Sequence, residues 1–308
     1  MKKELAVIAG PTATGKSEAS IALAKLMDGE IVSADSIQVY RHMDIGSAKL
    51  TKDMMQGIPH HMIDILEPDE DYNVSLFCRK AEKIIEGIRS RGRFPIVCGG
   101  TGFYIRALLY GIEFAEGETD ACVRERLERQ TEEQGLERME HILGAFDPVS
   151  AEAYHGNRKR IIRALEYHEL TGRLLSEKNA GERKKEPVYN PAFFVLNMPR
   201  DLLYDRINKR VDVMMEKGLL EEVKSLRAMG ITRDMTSMQG LGYRQVYDLL
   251  DGRYDKDTAT DEIKKQTRHF AKRQLTWFRR EKDVTWVDVT EYNGPEALAD
   301  YMAGVING

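Results

Sequence analysis

The chain has 308 residues, 42% of them hydrophobic and 31% charged, which is room for one large or two modest domains and the composition of an ordinary globular protein. Its formal net charge of −4 excludes a uniformly basic nucleic-acid coat but leaves room for a local basic face. No apolar run reaches the eighteen or so residues of a membrane span, so a cytoplasmic protein with no membrane partner is expected.

Taken in order, Met1-Lys2-Lys3-Glu4 leads straight into the apolar run Leu5 to Ala9, which reads as a strand. Gly10-Pro11-Thr12-Ala13-Thr14-Gly15-Lys16-Ser17 follows and fits G-x-x-x-x-G-K-[ST], with a helical pattern from Glu18 to Met27 behind it. Such a loop curls backbone N–H groups around phosphate oxygens and presents the positive end of a helix to them. Lys16 adds a movable cation, and Ser17 places a hydroxyl where a Mg²⁺ shared with two phosphates would take it. Gly10, Thr12, Ala13, Thr14, Gly15, Lys16 and Ser17 are therefore the candidate phosphate-binding residues, for a nucleotide or for some other diphosphate.

Gly29 to Ser33 reads as a second strand, parallel and adjacent to the first through the βαβ connection, and it runs into Ala34-Asp35-Ser36-Ile37-Gln38. Ligands in such sheets sit beyond the carboxyl ends of the strands, so Asp35, Ser36 and Gln38 aim at the same crevice as the P-loop. A further strand is expected over His60 to Leu66, then a helix capped by Asn73 or Ser75 that runs to about Arg91. The strand Phe94 to Cys98 ends in a second glycine turn, Gly99-Gly100-Thr101-Gly102, which opens a helix over Phe103 to Tyr110.

From Glu113 to about Lys185 the sequence is charged and helix-forming, with no strong strand. It contains a helix starting at Asp147-Pro148 and carrying the basic run Asn157 to Arg163. The strand Phe193 to Leu196, helices over Leu202 to Val213 and Leu219 to Ala228, and the glycine-interrupted Met238 to Gln245 come next. Arg206 and Arg210 are four apart and share a helix face. A long helix over about Thr258 to Glu281 carries Lys264, Lys265, Arg268, His269, Lys272, Arg273, Arg279 and Arg280 among core-type aromatics, a pattern that can track a phosphate backbone. A last strand (Val284 to Val289) and helix (Pro295 to Val305) close the chain. The fold class is α/β: a parallel P-loop NTPase-like sheet flanked by helices, with residues 1–112 and 190–308 as the core and 113–189 as a mostly helical insertion.

Cys78, Cys98 and Cys122 lie far apart with no C-x-x-C pair, so neither a disulfide framework nor a zinc site is expected. A P-loop NTPase also holds Mg²⁺ with a carboxylate at the end of a buried strand. Here Phe94 to Cys98 ends in two glycines with no carboxylate, and Asp64, a substitute, follows a poor, short strand; that absence counts against hydrolysis. Asp35 instead offers a carboxylate facing the diphosphate grip, suited to take a proton from an incoming nucleophile, unless it is only a turn residue. Together these parts describe transfer of a group from a small diphosphate to a large polyanion.

Gly10 to Ser17, Ser33 to Tyr40 with Asp44-Ile45-Gly46, Gly99 to Tyr104 and Gly240-Leu241-Gly242-Tyr243-Arg244-Gln245 resemble the signatures of the bacterial tRNA dimethylallyltransferase (tRNA isopentenyltransferase) family, over essentially the whole chain. The resemblance implies transfer of a dimethylallyl group from dimethylallyl diphosphate to N6 of adenine 37 in tRNA, with Mg²⁺, by a monomer that binds the anticodon stem-loop. It further implies that Asp35 is the base, that Lys16 and Arg210 (less surely Arg206) serve the leaving diphosphate, that Thr101 is a catalytic residue at the junction of diphosphate and tRNA, and that Ser17 holds the metal. The implied tRNA contacts are Asp35, Ser36, Ile37, Gln38, Thr101, Val123, Lys159, Arg160, Arg163, Gly240, Arg244 and Gln245. Rival readings are an adenylate isopentenyltransferase acting on free nucleotides, a P-loop kinase or NTPase, and a non-catalytic tRNA-binding protein.

Overall fold

The computed structural model describes residues 4–114, 118 and 120–308; Met1 to Lys3, expected to lead into the first strand, lie outside them. The chain forms two compact units, one of Met1–Leu109 with Tyr189–Gly308 and one of Tyr110–Val188. The first opens with β1 (Leu5–Ala9), α1 (Lys16–Leu26), β2 (Gly29–Ser33), β3 (His60–His61), α2 (Val74–Ser90), β4 (Phe94–Gly99) and α3 (Gly102–Leu109). The second unit is α4 (Ala121–Gln134), α5 (Leu136–Gly144), α6 (Pro148–Ala153), α7 (Arg158–Thr171) and α8 (Leu175–Lys184). The first resumes with β5 (Pro191–Asn197), α9 (Arg200–Glu216), α10 (Leu219–Ala228), α11 (Tyr243–Leu250), α12 (Lys256–Phe278), β6 (Thr285–Asp288) and α13 (Gly294–Asn307).

Six parallel strands make one sheet in the order β3-β2-β4-β1-β5-β6. β1 and β2, expected to be adjacent, are separated by β4, with Val97 in register with both Val7 and Val32. The reason lies in β4 itself. Ile96 and Val97 are buried on opposite faces, as a central parallel strand requires. Gly99 also lets the end of β2 come close, because a Cβ there would sit 2.4 Å from the Ala34 carbonyl oxygen. This insertion sets the second glycine turn between the P-loop and the Asp35 segment.

The strand expected over His60 to Leu66 is only two residues long, since Met62 (φ 64°) and Asp64 (φ 53°) take left-handed conformations that no ladder accommodates. Asp64 is not a substitute metal ligand: its Oδ1 lies 2.6 Å from the Lys49 ammonium. Asn73, not Ser75, caps α2 by accepting the Leu76 amide at 3.0 Å, and Phe77, Ala81, Ile85 and Ile88 form its buried stripe. The two helices α1 and α13 cover one face of the sheet, with Leu23 and Met302 joining Ile8, Phe194 and Leu196 in a common core.

The helical unit has its own core around Leu127, Leu143, Ile161 and Leu165. The single helix expected from Asp147-Pro148 through the basic run is two. α6 ends at Ala153, Gly156 turns with φ 71°, and the Asn157 side chain starts α7 by accepting the Arg160 amide. No helix among the described residues is long and apolar enough to cross a membrane.

Candidate active site

The carboxyl ends of β1, β2 and β4 open on a cavity of about 690 Å³. The P-loop forms one wall, and its glycines have separate tasks. Gly10 (φ 140°) lies so near β5 that a Cβ would meet the Leu196 carbonyl oxygen at 2.4 Å, while Gly15 (φ 84°) makes the left-handed entry into α1. Ala13 accepts a left-handed φ of 67° between them. Thr14 is buried with its hydroxyl donated to the Pro11 carbonyl at 2.8 Å, so it shapes the loop from inside.

Lys16 donates to the same Pro11 oxygen at 2.6 Å. Burial drags its ammonium down to about 8, with Arg210 pushing the same way against the pull of Cys98, Asp35 and Glu18. Arg210, on α9, is lowered by burial and raised by Asp35 and Glu18. Two desolvated cations facing one cavity is an arrangement that favours an anionic ligand. Arg206, Thr101 and Ser17 line the cavity too.

Asp35 is half-buried and does two things at once. Its Oδ1 accepts the amides of Ile37 (2.8 Å) and Gln38 (3.2 Å), which is the turn role, while Oδ2 has no hydrogen-bond partner among the described residues. The turn therefore fixes the carboxylate and leaves one oxygen free to take a proton. Gln38 is held at both ends of its amide: Oε1 accepts the Ser33 hydroxyl at 3.4 Å and Nε2 donates to the Ser47 carbonyl at 3.2 Å. Ser36 and Ile37 complete this wall. Behind it Tyr72 and Tyr104 line the cavity edge to face, their rings 5.7 Å apart, and burial raises both phenols.

Of the glycine-interrupted motif, Gly240 lines the cavity, and a Cβ there would meet Tyr243 at 3.1 Å and Ile37 at 3.2 Å. Arg244 is exposed. Gln245 is turned inward, its Oε1 accepting the Gly242 amide at 3.0 Å to start α11, so its carbonyl oxygen is engaged within the motif. On α12, Arg273 lines the cavity, but Lys264 and Arg268 are tied to α9, at 2.6 Å from Asp212 and 2.6 Å from Asn208. Phe278 is core; Phe270 lines the cavity instead.

In the helical unit Lys159 and Arg160 are exposed. Arg163 is held by the Glu118 carbonyl and by Glu166, 3.2 Å away and itself fully buried. Val123 packs against that unit's core.

Two residues that no motif contains support the cavity. Glu222 on α10 receives the amides of Asp44, Ile45 and Gly46, and Gln274 on α12 bridges Thr12 and Gly100. Both are ordinary polar residues in helices, separated from their partners by 176 or more positions for Glu222 and by 174 and 262 for Gln274, so no local signal marks them.

Comparison with known proteins bears on this geometry. The IPP transferase family profile matches residues 38–281, and an isopentenyl transferase profile matches residues 3–65. The tRNA dimethylallyltransferase of Lachnoclostridium phytofermentans is 47% identical over 303 residues, covering 98% of this chain and 97% of that protein. That of Bacillus cereus is 45% identical over 304 residues, covering 98% and 95%. Among solved structures, the full-length tRNA isopentenylpyrophosphate transferase of Bacillus halodurans superposes with a TM-score of 0.75 at 42% identity, over 99% of this chain and 97% of that one. A eukaryotic dimethylallyltransferase acting on tRNA gives 0.79 at 30% identity, over 93% and 74%. A profile matched over most of the sequence, and relatives this similar from end to end, mean that the chain belongs to the IPP transferase family and is a transferase.

Proposed function

We propose that the chain transfers the dimethylallyl group of dimethylallyl diphosphate to N6 of adenine 37 in the anticodon stem-loop of tRNA, releasing diphosphate, as a cytoplasmic monomer. The observation that carries this reading is that Asp35 lines the same cavity as the P-loop, Lys16 and Arg210, with no hydrogen bond to its Oδ2 among the described residues. The adenine must leave its stack to enter such a cavity. Its N6 lone pair attacks the allylic carbon as the carbon–oxygen bond to diphosphate breaks, and one N6 proton passes to Asp35. The charge that gathers on the leaving oxygen is met by Lys16 and Arg210, with Thr101 at the junction of the two substrates. Because an exocyclic amine is so weakly basic, Asp35 acts during the attack and not before it.

Magnesium fits the donor set. Among the described residues no group of three His, Cys, Asp or Glu side chains could cage a metal, whereas Ser17 offers one hydroxyl oxygen, the sparse kind of ligation a hydrated Mg²⁺ shared with phosphates accepts. Bound there, it would neutralise charge on the diphosphate. Ser36, Ile37, Gln38, Gly240 and Arg244 are the proposed tRNA contacts of the first unit, and Lys159 and Arg160 those of the helical unit; Gln245, Val123 and Arg163, engaged within the fold, are proposed to shape those surfaces from behind.

The test is to incubate the purified protein with Mg²⁺, unmodified tRNA and dimethylallyl diphosphate, then digest the tRNA and weigh its nucleosides. A dimethylallyl-adenosine mass that requires the prenyl donor is expected. Prenylation of free adenosine phosphates but not tRNA, or consumption of ATP alone, would overturn the reading.

A further inference from the structure

We infer that Gln274 is a positioning residue for the diphosphate of the donor, holding the two glycine turns at one separation through a single carboxamide. Its Oε1 accepts the Thr12 amide at 3.1 Å and its Nε2 donates to the Gly100 carbonyl at 2.9 Å. The side chain is 6% exposed and lines the cavity together with Thr12 and Gly100. The inference rests on reading that cavity as a diphosphate site.

The fit is specific in three respects. The second turn is shaped to the amide, because a Cβ at Gly100 would stand 2.2 Å from Gln274 Nε2. A planar amide supplies one acceptor and one donor together, which is what an N–H on one side and a C=O on the other demand. It also carries no charge, so it bridges the turns without repelling a polyanion. The Thr12 amide is thereby committed to Gln274, and the phosphate cradle falls to the P-loop amides that follow it.

Gln274 is also anchored on a rigid support. The neighbouring Ala271 is fully buried in a small cluster with Ile207 and Leu203 of α9, against which Ala13 of the P-loop packs. Lys264 and Arg268 bind α12 to α9, the helix that carries Arg210. One side chain thus sets the P-loop and the second turn against the element that brings in the leaving-group arginine, as a preorganised site requires.

The experiment compares the wild type with Gln274→Met, which keeps length and volume but offers neither partner, and Gln274→Glu, which keeps the acceptor and adds a charge. Inorganic diphosphate binding by calorimetry, donor KM, kcat, tRNA affinity without donor, and Tm are read for each. Loss of two buried partners predicts diphosphate binding and donor KM weakened about tenfold or more in Gln274→Met, with tRNA affinity kept. For Gln274→Glu the weakening grows as salt is lowered, whereas for Gln274→Met it does not. Diphosphate affinity at the wild-type level in either folded variant overturns the inference, as does a loss shared equally by donor, tRNA and Tm. A wild-type protein that binds no diphosphate at all would place the failure in the reading of the site itself.

Discussion

Tyr243 donates its hydroxyl to Glu222 Oε1 at 2.7 Å, and the same carboxylate accepts the amides of Asp44, Ile45 and Gly46 at 2.8, 2.7 and 3.0 Å. Tyr243 Oη in turn accepts the Ser47 amide at 3.1 Å, and the Ser47 carbonyl holds Gln38. A hydrogen-bonded line therefore runs from α10 to the cavity wall, and Gly46 is a glycine because a Cβ would lie 2.5 Å from the Tyr243 ring. Glu222→Gln turns an amide donor toward amide donors, so a loss of about 1–3 kcal/mol in denaturant unfolding is expected. Steady-state kinetics should show kcat/KM for tRNA falling while donor KM holds; equal changes in both would disconnect Glu222 from the Asp35–Gln38 wall.

Asp35→Asn and Asp35→Ala separate the two tasks of that carboxylate. Asparagine retains an acceptor for the Ile37 and Gln38 amides but is no base, so turnover should fall by about 10²- to 10⁴-fold with Tm and tRNA binding kept. Alanine should lose both turnover and local order, seen as faster amide exchange at Ile37 and Gln38. Near-normal turnover in Asp35→Asn would remove the base role and leave the turn.

The basic run of α7 should divide in two. Lys159→Glu and Arg160→Glu, at exposed positions, are expected to weaken tRNA binding and flatten its salt dependence with little effect on Tm. Arg163→Glu should instead lower Tm, because it removes a partner from the fully buried Glu166 and puts a second carboxylate beside it. Equal salt slopes for wild type and the Lys159 and Arg160 variants would make that face ordinary surface.

Glu30 gives an acid dependence with a definite sign. Burial raises its carboxyl, but hydrogen bonds from Arg91 (2.8 Å) and His61 (2.6 Å) outweigh it and leave the group below the usual glutamate range; Arg93 stands 3.8 Å away. A carboxyl lowered in the folded state contributes stability above its unfolded pKa of about 4.3 and loses it as pH falls through the folded value. Urea midpoints measured from pH 5 down to pH 3 should therefore drop more steeply for the wild type than for Glu30→Gln. Parallel curves would show that the group does not titrate differently on folding.

Much of the candidate site was legible because its signals are local. Gly10 to Ser17 is continuous in sequence, and Asp35 and Gly99 to Gly102 each follow directly on a strand, so short apolar runs and the turns behind them suffice to put all three at one sheet edge. Neighbour relations are not local, and there the reading departs from the structure. Nothing in Gly29 to Ser33 reveals that β4 will lie between it and β1, since that depends on which strand can be buried on both faces. The short β3 escaped for a similar reason: the apolar residues among His60 to Leu66 suit a strand, yet Met62 and Asp64 take left-handed turns set by the loop that Lys49 ties down.

What the sequence determined by itself was the α/β class, the phosphate loop, the facing carboxylate and the family they belong to, because each rests on residues within a few positions of one another. Only the tertiary structure decided which polar groups are at liberty to act. It commits Thr14, Gln245 and one oxygen of Asp35 to the backbone, turns Arg163 to Glu166, and recruits Glu222 and Gln274 from distant helices. A side chain's type fixes what bonds it can make, but which of them remain open for a substrate depends on every group the fold brings within about 3 Å of it.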